Sequence, residues 1–126
     1  MQFKECYQNP FIEERADPYI TLGPDGYYYF TASYPMKSAD DKDGYDRVIL
    51  RRAKDISELA SAEEITIWKV ADTTLTHRFI WAPELHYIAG RWYVFYAGSE
   101  DKENNWAFDC HVLVCDSNDP YTGTWS

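Results

Sequence analysis

Residues 18–32, PYITLGPDGYYYFTA, are matched 65 positions later by residues 83–97, PELHYIAGRWYVFYA. Without a gap, a proline, a tyrosine, a phenylalanine and an alanine recur at the same places in the two stretches: Pro18 with Pro83, Tyr28 with Tyr93, Phe30 with Phe95 and Ala32 with Ala97. A fixed offset of this kind is typical of repeat architectures, because a single unit cannot bury both of its faces and stacks on a copy of itself. The chain is therefore predicted to hold two stacked copies of one unit.

Each copy contains four stretches rich in aromatic and β-branched residues and bounded by turn residues, which predicts four strands. In the first copy they are residues 19–22, 27–33, 47–53 and 65–70, and in the second 84–88, 91–98, 111–116 and a start at 124–125. Repeated four-stranded sheets are typical of a β-propeller. The sequence thus predicts an all-β fold with two four-stranded blades, one at about 16–71 and one at about 79–126.

The length of the chain limits this interpretation. Propellers close with typically four to eight blades, and two copies account for almost all of the 126 residues. Two blades alone would leave broad apolar faces in water, a feature that normally marks an interaction surface. We expect the chain to be part of a propeller whose remaining blades come from a longer chain or from self-association.

Charge and composition exclude some partners. The net charge is −9, and no stripe of Lys and Arg offers a surface for phosphates, so nucleic acid is not expected as a partner. No apolar stretch is long enough for a membrane span, and residues 1–5 lack the basic start and apolar run of a signal peptide. The expectation is a protein without membrane contact that is either cytoplasmic or secreted with its leader removed.

The three cysteines, Cys6, Cys110 and Cys115, are an odd number. Cys110 and Cys115 lie five apart along one predicted strand, so their side chains project to opposite faces and cannot easily pair. The sequence predicts reduced thiols in the core.

The repeat also isolates its exceptions, and the chemistry is expected among them. Arg15-Ala16-Asp17-Pro18 lies over Ile80-Trp81-Ala82-Pro83, so an ionisable Asp17 occupies a place that the second copy fills with Ala82.

Several short motifs, in their order and spacing, resemble the opening two blades of glycoside hydrolase family 43. They are residues 9–11 (NPF), 15–18 (RADP), 26–32 (GYYYFTA), 80–84 (IWAPE) and 90–93 (GRWY). The resemblance implies a five-bladed propeller enzyme that removes arabinose or xylose from plant polysaccharides. Residues 46–53 (DRVILRRA) and 67–68 (IW) make the chain most similar to the exo-acting α-1,5-L-arabinofuranosidases of that family.

In this family the anomeric centre is inverted, which needs one carboxylate to take a proton from water and one carboxylic acid, roughly 6.5 to 9.5 Å away, to protonate the leaving oxygen. By resemblance Asp17 is the general base. Pro18 biases Asp17 toward an extended backbone, which would hold its side chain at the entry of the innermost strand, facing the channel. The alternative is that Asp17 is only a turn or cap residue.

Phe79 and Trp81 open the inner strand of the second blade, and their rings are candidates either for stacking on a sugar or for packing between blades. Glu84 is a carboxylate in a shared motif, but its position is not that of the family's acid, so we expect a structural or supporting role. His86 lies on the same face as Glu84, and two ligands do not make a metal site. No cofactor or metal is predicted.

The family's general acid, a Glu, and the Asp that raises its pKa lie in later blades, beyond residue 126. The sequence therefore predicts the base half of a glycosidase that cleaves terminal α-L-arabinofuranosyl residues from arabinan or arabino-oligosaccharides, and an isolated chain without activity. A β-xylosidase and a catalytically silent carbohydrate-binding propeller remain alternatives. A WD-repeat interaction propeller is disfavoured, because its blades of about 40 residues are shorter.

Overall fold

The computed structural model describes residues 7–37, 44–76, 78–100, 103–104 and 106–126. These residues form two antiparallel sheets joined by short connections. The strands are β1 (Ala16–Leu22), β2 (Tyr28–Ser33), β3 (Arg47–Ala53), β4 (Ile65–Lys69), β5 (Arg78–Ile88), β6 (Arg91–Ser99) and β7 (Phe108–Val114). Two 3₁₀ turns, Ile56–Ala60 and Val70–Asp72, flank β4. Asp55 caps the first of them, with its side chain accepting a hydrogen bond from the N–H of Ser57.

The first sheet is a four-stranded meander in the order β1-β2-β3-β4. The second has the order β5-β6-β7, and an isolated bridge between Cys115 and Trp125 continues it. Backbone hydrogen bonds run in both directions between Val114 and Ser126, with N to O distances of 2.9 and 3.2 Å. This pairing is the predicted start of a fourth strand at 124–125.

Both inner strands begin earlier than the sequence predicts. β1 starts at Ala16 rather than Tyr19, and β5 starts at Arg78 rather than Glu84. Each strand has an irregular register around its proline, between Ala16 and Tyr19 and between Trp81 and Glu84. A proline cannot donate a ladder hydrogen bond, so a strand that continues through one needs a bulge there. The prolines therefore interrupt the pairing without ending the strands.

The connections inside the sheets follow the turn chemistry of the sequence. Residues 23–26 close β1 onto β2, with Gly26 at a φ of 78° and its N–H bonded to the carbonyl of Gly23 at 3.0 Å. Ala89 and Gly90 join β5 to β6 with φ of 49° and 83°. Two positive φ values are what a type I′ two-residue hairpin turn requires.

The two sheets stack face to face through one core cluster. Tyr29, Val48 and Leu50 of the first sheet meet Leu85 and Trp92 of the second, and all five are buried. The Tyr29 and Trp92 rings are 5.1 Å apart, edge to face.

The opposite face of the first sheet carries a second cluster that contains Phe30, Ile49 and Leu59, against which Phe11 and Ile12 pack. Tyr29 and Phe30, like Val48 and Ile49, are neighbours in sequence that point to opposite faces, as strand geometry demands. The first sheet is therefore buried on both sides, as expected of a blade within a stack.

The cysteine prediction is partly wrong. Both Cys110 and Cys115 are free, and Cys115 is buried as expected, but Cys110 is exposed. Alternation along β7 places Cys110 on the face opposite the buried Leu113, which turns its side chain away from the core cluster. Cys6 lies outside the described residues.

Candidate active site

Asp17 lies in the bulge of β1 and is exposed to solvent. The predicted extended backbone is wrong, since Asp17 has a φ of 51°. The preference of a residue before proline is weak compared with the constraint of a bulge, and Asp is among the residues that tolerate left-handed backbone. Ala82, its counterpart in the repeat, has nearly the same φ of 46°. The unusual backbone therefore belongs to the repeated bulge rather than to the carboxylate.

The Asp17 carboxylate is held by a neighbour in the same sheet and linked to the second sheet. Ser33 Oγ donates to Asp17 Oδ2 at 2.8 Å, and the backbone N–H of Ala82 donates to the same Ser33 oxygen at 2.7 Å. Ser33 is fully buried. Through this serine, Asp17 lies two hydrogen bonds from the residue that follows Trp81. The carboxylate and the aromatic residues at the head of β5 therefore lie at the same end of the two sheets.

Five aromatic side chains, which we call the aromatic cluster, gather at this end of the two sheets: Tyr45, Phe79, Trp81, Trp106 and Phe108. Trp81 stacks on Phe79 and Phe108 with ring centroids 5.4 and 4.3 Å away. Tyr45 meets Phe79 and Trp81 edge to face, at 6.3 and 6.0 Å. Trp106 touches the edge of Trp81 at 6.1 Å and is itself 79% exposed.

The structure thus brings Phe79 and Trp81 together, and it is compatible with both roles predicted for their rings, stacking on a sugar and packing between blades. Tyr45 lies in the connection between β2 and β3 of the first sheet, so part of the aromatic cluster packs the two blades together. Phe79 and Trp81 are nevertheless only half-buried. The Trp81 Nε1 atom is buried and has no hydrogen-bond partner among the described residues. The roles of Phe79 and Trp81 in binding stay predictions.

Sequence reasoning missed Tyr45, Trp106 and Phe108. Phe108 begins β7, three residues before the predicted start of that strand, and pairs with Ser99. Trp106 is an isolated aromatic residue in a polar connection, which is the one signal that could have pointed to it. Nothing in the local sequence of Tyr45 indicates that it reaches the second sheet.

Glu84 and His86 form a separate pair on β5. His86 Nε2 lies 2.9 Å from Glu84 Oε2, and the His86 ring rests between Tyr19 and Phe95 with centroids 5.3 and 5.7 Å away. The Glu84 side chain is about half exposed. The supporting role of Glu84 stays a prediction. Across the described parts of the chain, no group of three or more His, Cys, Asp or Glu side chains could hold a metal ion.

An ion-pair network fixes the chain just before Asp17. Glu64 accepts hydrogen bonds from both Arg15 and Arg51, each with an Nε to Oε2 distance of 3.0 Å. Burial alone would raise the pKa of Glu64, but the hydrogen bonds and charges of the two arginines outweigh it and lower the pKa. The guanidinium of Arg15 also lies 4.4 Å from the centre of the Tyr34 ring. The residues that lead into the bulge are thereby anchored to β3 and β4.

No helix in the described part of the chain is long and apolar enough to cross a bilayer.

Known proteins resemble this chain in sequence and in fold. The chain is 42% identical over 120 residues to an extracellular exo-alpha-(1->5)-L-arabinofuranosidase of Streptomyces avermitilis, which covers 95% of this chain and 23% of that protein. The crystal structure of an alpha-L-arabinofuranosidase from Lactobacillus brevis matches 95% of this chain and 37% of its own, with a TM-score of 0.76 at 39% identity. The chain therefore spans about a quarter to a third of the length of these relatives.

A more distant structure, a GH43_1 enzyme from Xanthomonas citri complexed with xylose, shares the fold with a TM-score of 0.69 at 20% identity. It covers 90% of this chain and 32% of its own. These neighbours confirm the predicted all-β propeller fold. The family model described as Glycosyl hydrolases family 43 matches residues 7–126. The chain belongs to glycoside hydrolase family 43.

Proposed function

We propose that the protein containing these residues in a complete propeller is an inverting glycosidase that removes terminal α-L-arabinofuranosyl residues from arabinan or arabino-oligosaccharides. The observation that carries the proposal is the placement of Asp17. It is an exposed carboxylate with one oxygen held by a buried serine, at the same end of the sheets as the aromatic cluster and at a position where the repeat exchanges an apolar residue for an acid. The identity of 42% to an exo-arabinofuranosidase supports the choice of sugar.

In this proposal Asp17 is the general base. An inverting base must reach a water molecule on the face of the sugar opposite the leaving group and take its proton as the water attacks the anomeric carbon. Ser33 occupies one acceptor site of Asp17 Oδ2, which leaves Oδ1 with both of its lone pairs for water. The general acid would come from a later blade of the propeller, as the family resemblance implies, at roughly 6.5 to 9.5 Å from the base.

The aromatic cluster supplies the apolar wall of the proposed site. Sugars present C–H groups on their faces, and aromatic rings are the side chains that cover such faces at low conformational cost. Phe79 and Trp81 would border the sugar next to Asp17, and the exposed Trp106 would extend the wall outward. The half-exposed state of the first two rings is what this role requires.

The proposal includes action outside the cell, which is supported by the extracellular location named for the Streptomyces avermitilis enzyme. Its substrate partner is an arabinose- or xylose-containing oligosaccharide, and the other blades are supplied by the rest of the protein. Detection of the protein in the culture medium of cells that express its gene would test the location. Retention inside those cells would contradict it.

The activity is tested with the whole protein on aryl α-L-arabinofuranoside, aryl β-D-xylopyranoside and linear arabino-oligosaccharides. We expect faster hydrolysis of the arabinofuranoside, and the first product seen by proton NMR should have the inverted β configuration. Preference for the xyloside would indicate a β-xylosidase on the same scaffold. Initial retention of configuration would reject the general-base role of Asp17. Binding of the oligosaccharides without hydrolysis would show a carbohydrate-binding propeller instead.

A further inference from the structure

We propose that Ser33 is a positioning residue for Asp17, which selects the carboxylate oxygen that faces water and ties the base to the second blade. This inference rests on the proposed function and deepens it. Ser33 ends β2, and its Cα is paired in register with Ala16, the residue before Asp17. Its hydroxyl is the one described partner of the Asp17 carboxylate.

The direction of both hydrogen bonds follows from the chemistry of the groups. The backbone N–H of Ala82 can only donate, so the Ser33 oxygen must accept at that contact of 2.7 Å. A hydroxyl has a single hydrogen, and with one lone pair occupied that hydrogen is directed to Asp17 Oδ2 at 2.8 Å. A hydrogen bond of this kind to an ionised acceptor is stronger than one between neutral groups. The serine is thus oriented by the main chain and not by another side chain.

The two bulges create this geometry. In a regular ladder the N–H of Ala82 would face a neighbouring strand, but the irregular register of β5 and the left-handed φ of 46° release it toward Ser33. The matching bulge at Asp17 brings its carboxylate to the same hydroxyl. A buried serine between two bulges is therefore in contact with both inner strands at once.

The repeat gives independent support. The counterpart of Asp17 in the second copy is Ala82, and the counterpart of Ser33, 65 positions on, is Gly98. The copy that lacks the carboxylate also lacks the hydroxyl. A Cβ at Gly98 would lie 2.9 Å from side-chain atoms of His111 and Thr76, so that place is filled by packing in the second blade. The first blade has both the acid and the hydroxyl at these positions, and the second blade has neither.

Three variants of the whole protein test the inference: Ser33→Ala removes the hydroxyl, Ser33→Thr restores one, and Ser99→Ala is the matched control. Ser99 is as buried as Ser33, but its hydroxyl has no hydrogen-bond partner among the described residues. For each variant kcat and KM are measured on aryl arabinofuranoside, together with the melting temperature.

We expect Ser33→Ala to lower kcat by about 10- to 100-fold, the value of one hydrogen bond to a charged group, with little change in KM. Ser33→Thr should recover most of kcat. Ser99→Ala should leave both kcat and KM unchanged. Ser33→Cys, with similar volume and a weak donor, should fall between and serves if Ser33→Ala does not fold.

An unchanged kcat in folded Ser33→Ala would overturn the inference while leaving the glycosidase proposal intact. The same follows if Ser33→Ala loses activity only in proportion to its unfolded fraction, or if Ser99→Ala shows the same change. An inactive wild-type protein would instead remove the proposed function and this inference with it.

Discussion

Replacing Asp17 with asparagine separates a catalytic from a structural carboxylate more sharply than any other change in this chain. Asn keeps the size of Asp17 and an oxygen that can accept from Ser33, but it cannot take a proton from water. A general base typically contributes 10²- to 10⁴-fold, so kcat of the whole protein should fall by about that factor. The side chain is exposed and its described hydrogen bond survives, so the free energy of unfolding should change by no more than about 1 kcal/mol.

Glu84→Gln is the matched control for this experiment, because Glu84 is also an exposed carboxylate on an inner strand but lies beyond the bulge of β5, where it contacts His86. We expect it to retain most of kcat. The assay is release of aryl alcohol from the aryl arabinofuranoside, with melting curves recorded on the same samples. An Asp17→Asn protein that keeps activity within a few-fold of wild type would show that Asp17 is only a turn residue. Equal losses in both variants would remove the assignment of the base.

Three further predictions concern stability and reactivity in the whole protein. Glu64→Gln should destabilise the protein by about 1.5–3 kcal/mol in urea unfolding at neutral pH. Because the pKa of Glu64 is lowered in the folded state, its stabilisation is present above the pKa of the unfolded state and is lost as the pH falls through the folded-state pKa. A stability difference between the two proteins that persists in acid would contradict the ion-pair account. Trp92→Ala should cost about 3–5 kcal/mol because the side chain is fully buried between the sheets, and a small loss would mean that the sheets do not depend on this contact. A thiol reagent should label the exposed Cys110 and spare Cys115, whose pKa burial raises; peptide mapping that finds Cys115 labelled in the folded protein would contradict its burial.

The strands could be predicted because their signal is local. Stretches rich in aromatic and β-branched residues, with turn residues between them, predicted β2, β3 and β6 to within a residue or so. The turn at residues 23–26 was equally readable, because Pro and Gly each impose a backbone angle. Repetition at one offset then showed which strands are equivalent in the two blades.

The bulges and the cluster could not be predicted in the same way. Pro18 and Pro83 indicate the start of a strand, and only pairing with β2 and β6 shows that each strand continues through its proline. The left-handed backbone at Asp17 follows from that pairing, against the local preference. The contact between Ser33 and Ala82 depends on how two sheets stack, and no periodicity in the sequence encodes it. Tyr45 reaches the aromatic cluster for the same reason.

The two stacked sheets are connected by different kinds of contact at their two ends. At the end that carries Asp17, main-chain amides donate hydrogen bonds from the second sheet to the first: the N–H of Ile80 to the carbonyl of Tyr45 at 2.7 Å, and the N–H of Ala82 to Ser33. At the far end a side-chain ion pair connects the two blades, with Arg52 2.8 Å from Asp119.

Dissolved salt screens partly exposed charges but has little effect on a buried amide. A rise in ionic strength would therefore weaken the Arg52–Asp119 pair and leave the hydrogen bonds of Ile80 and Ala82 in place, so the spacing of the sheets at the Asp17 end should not depend on salt.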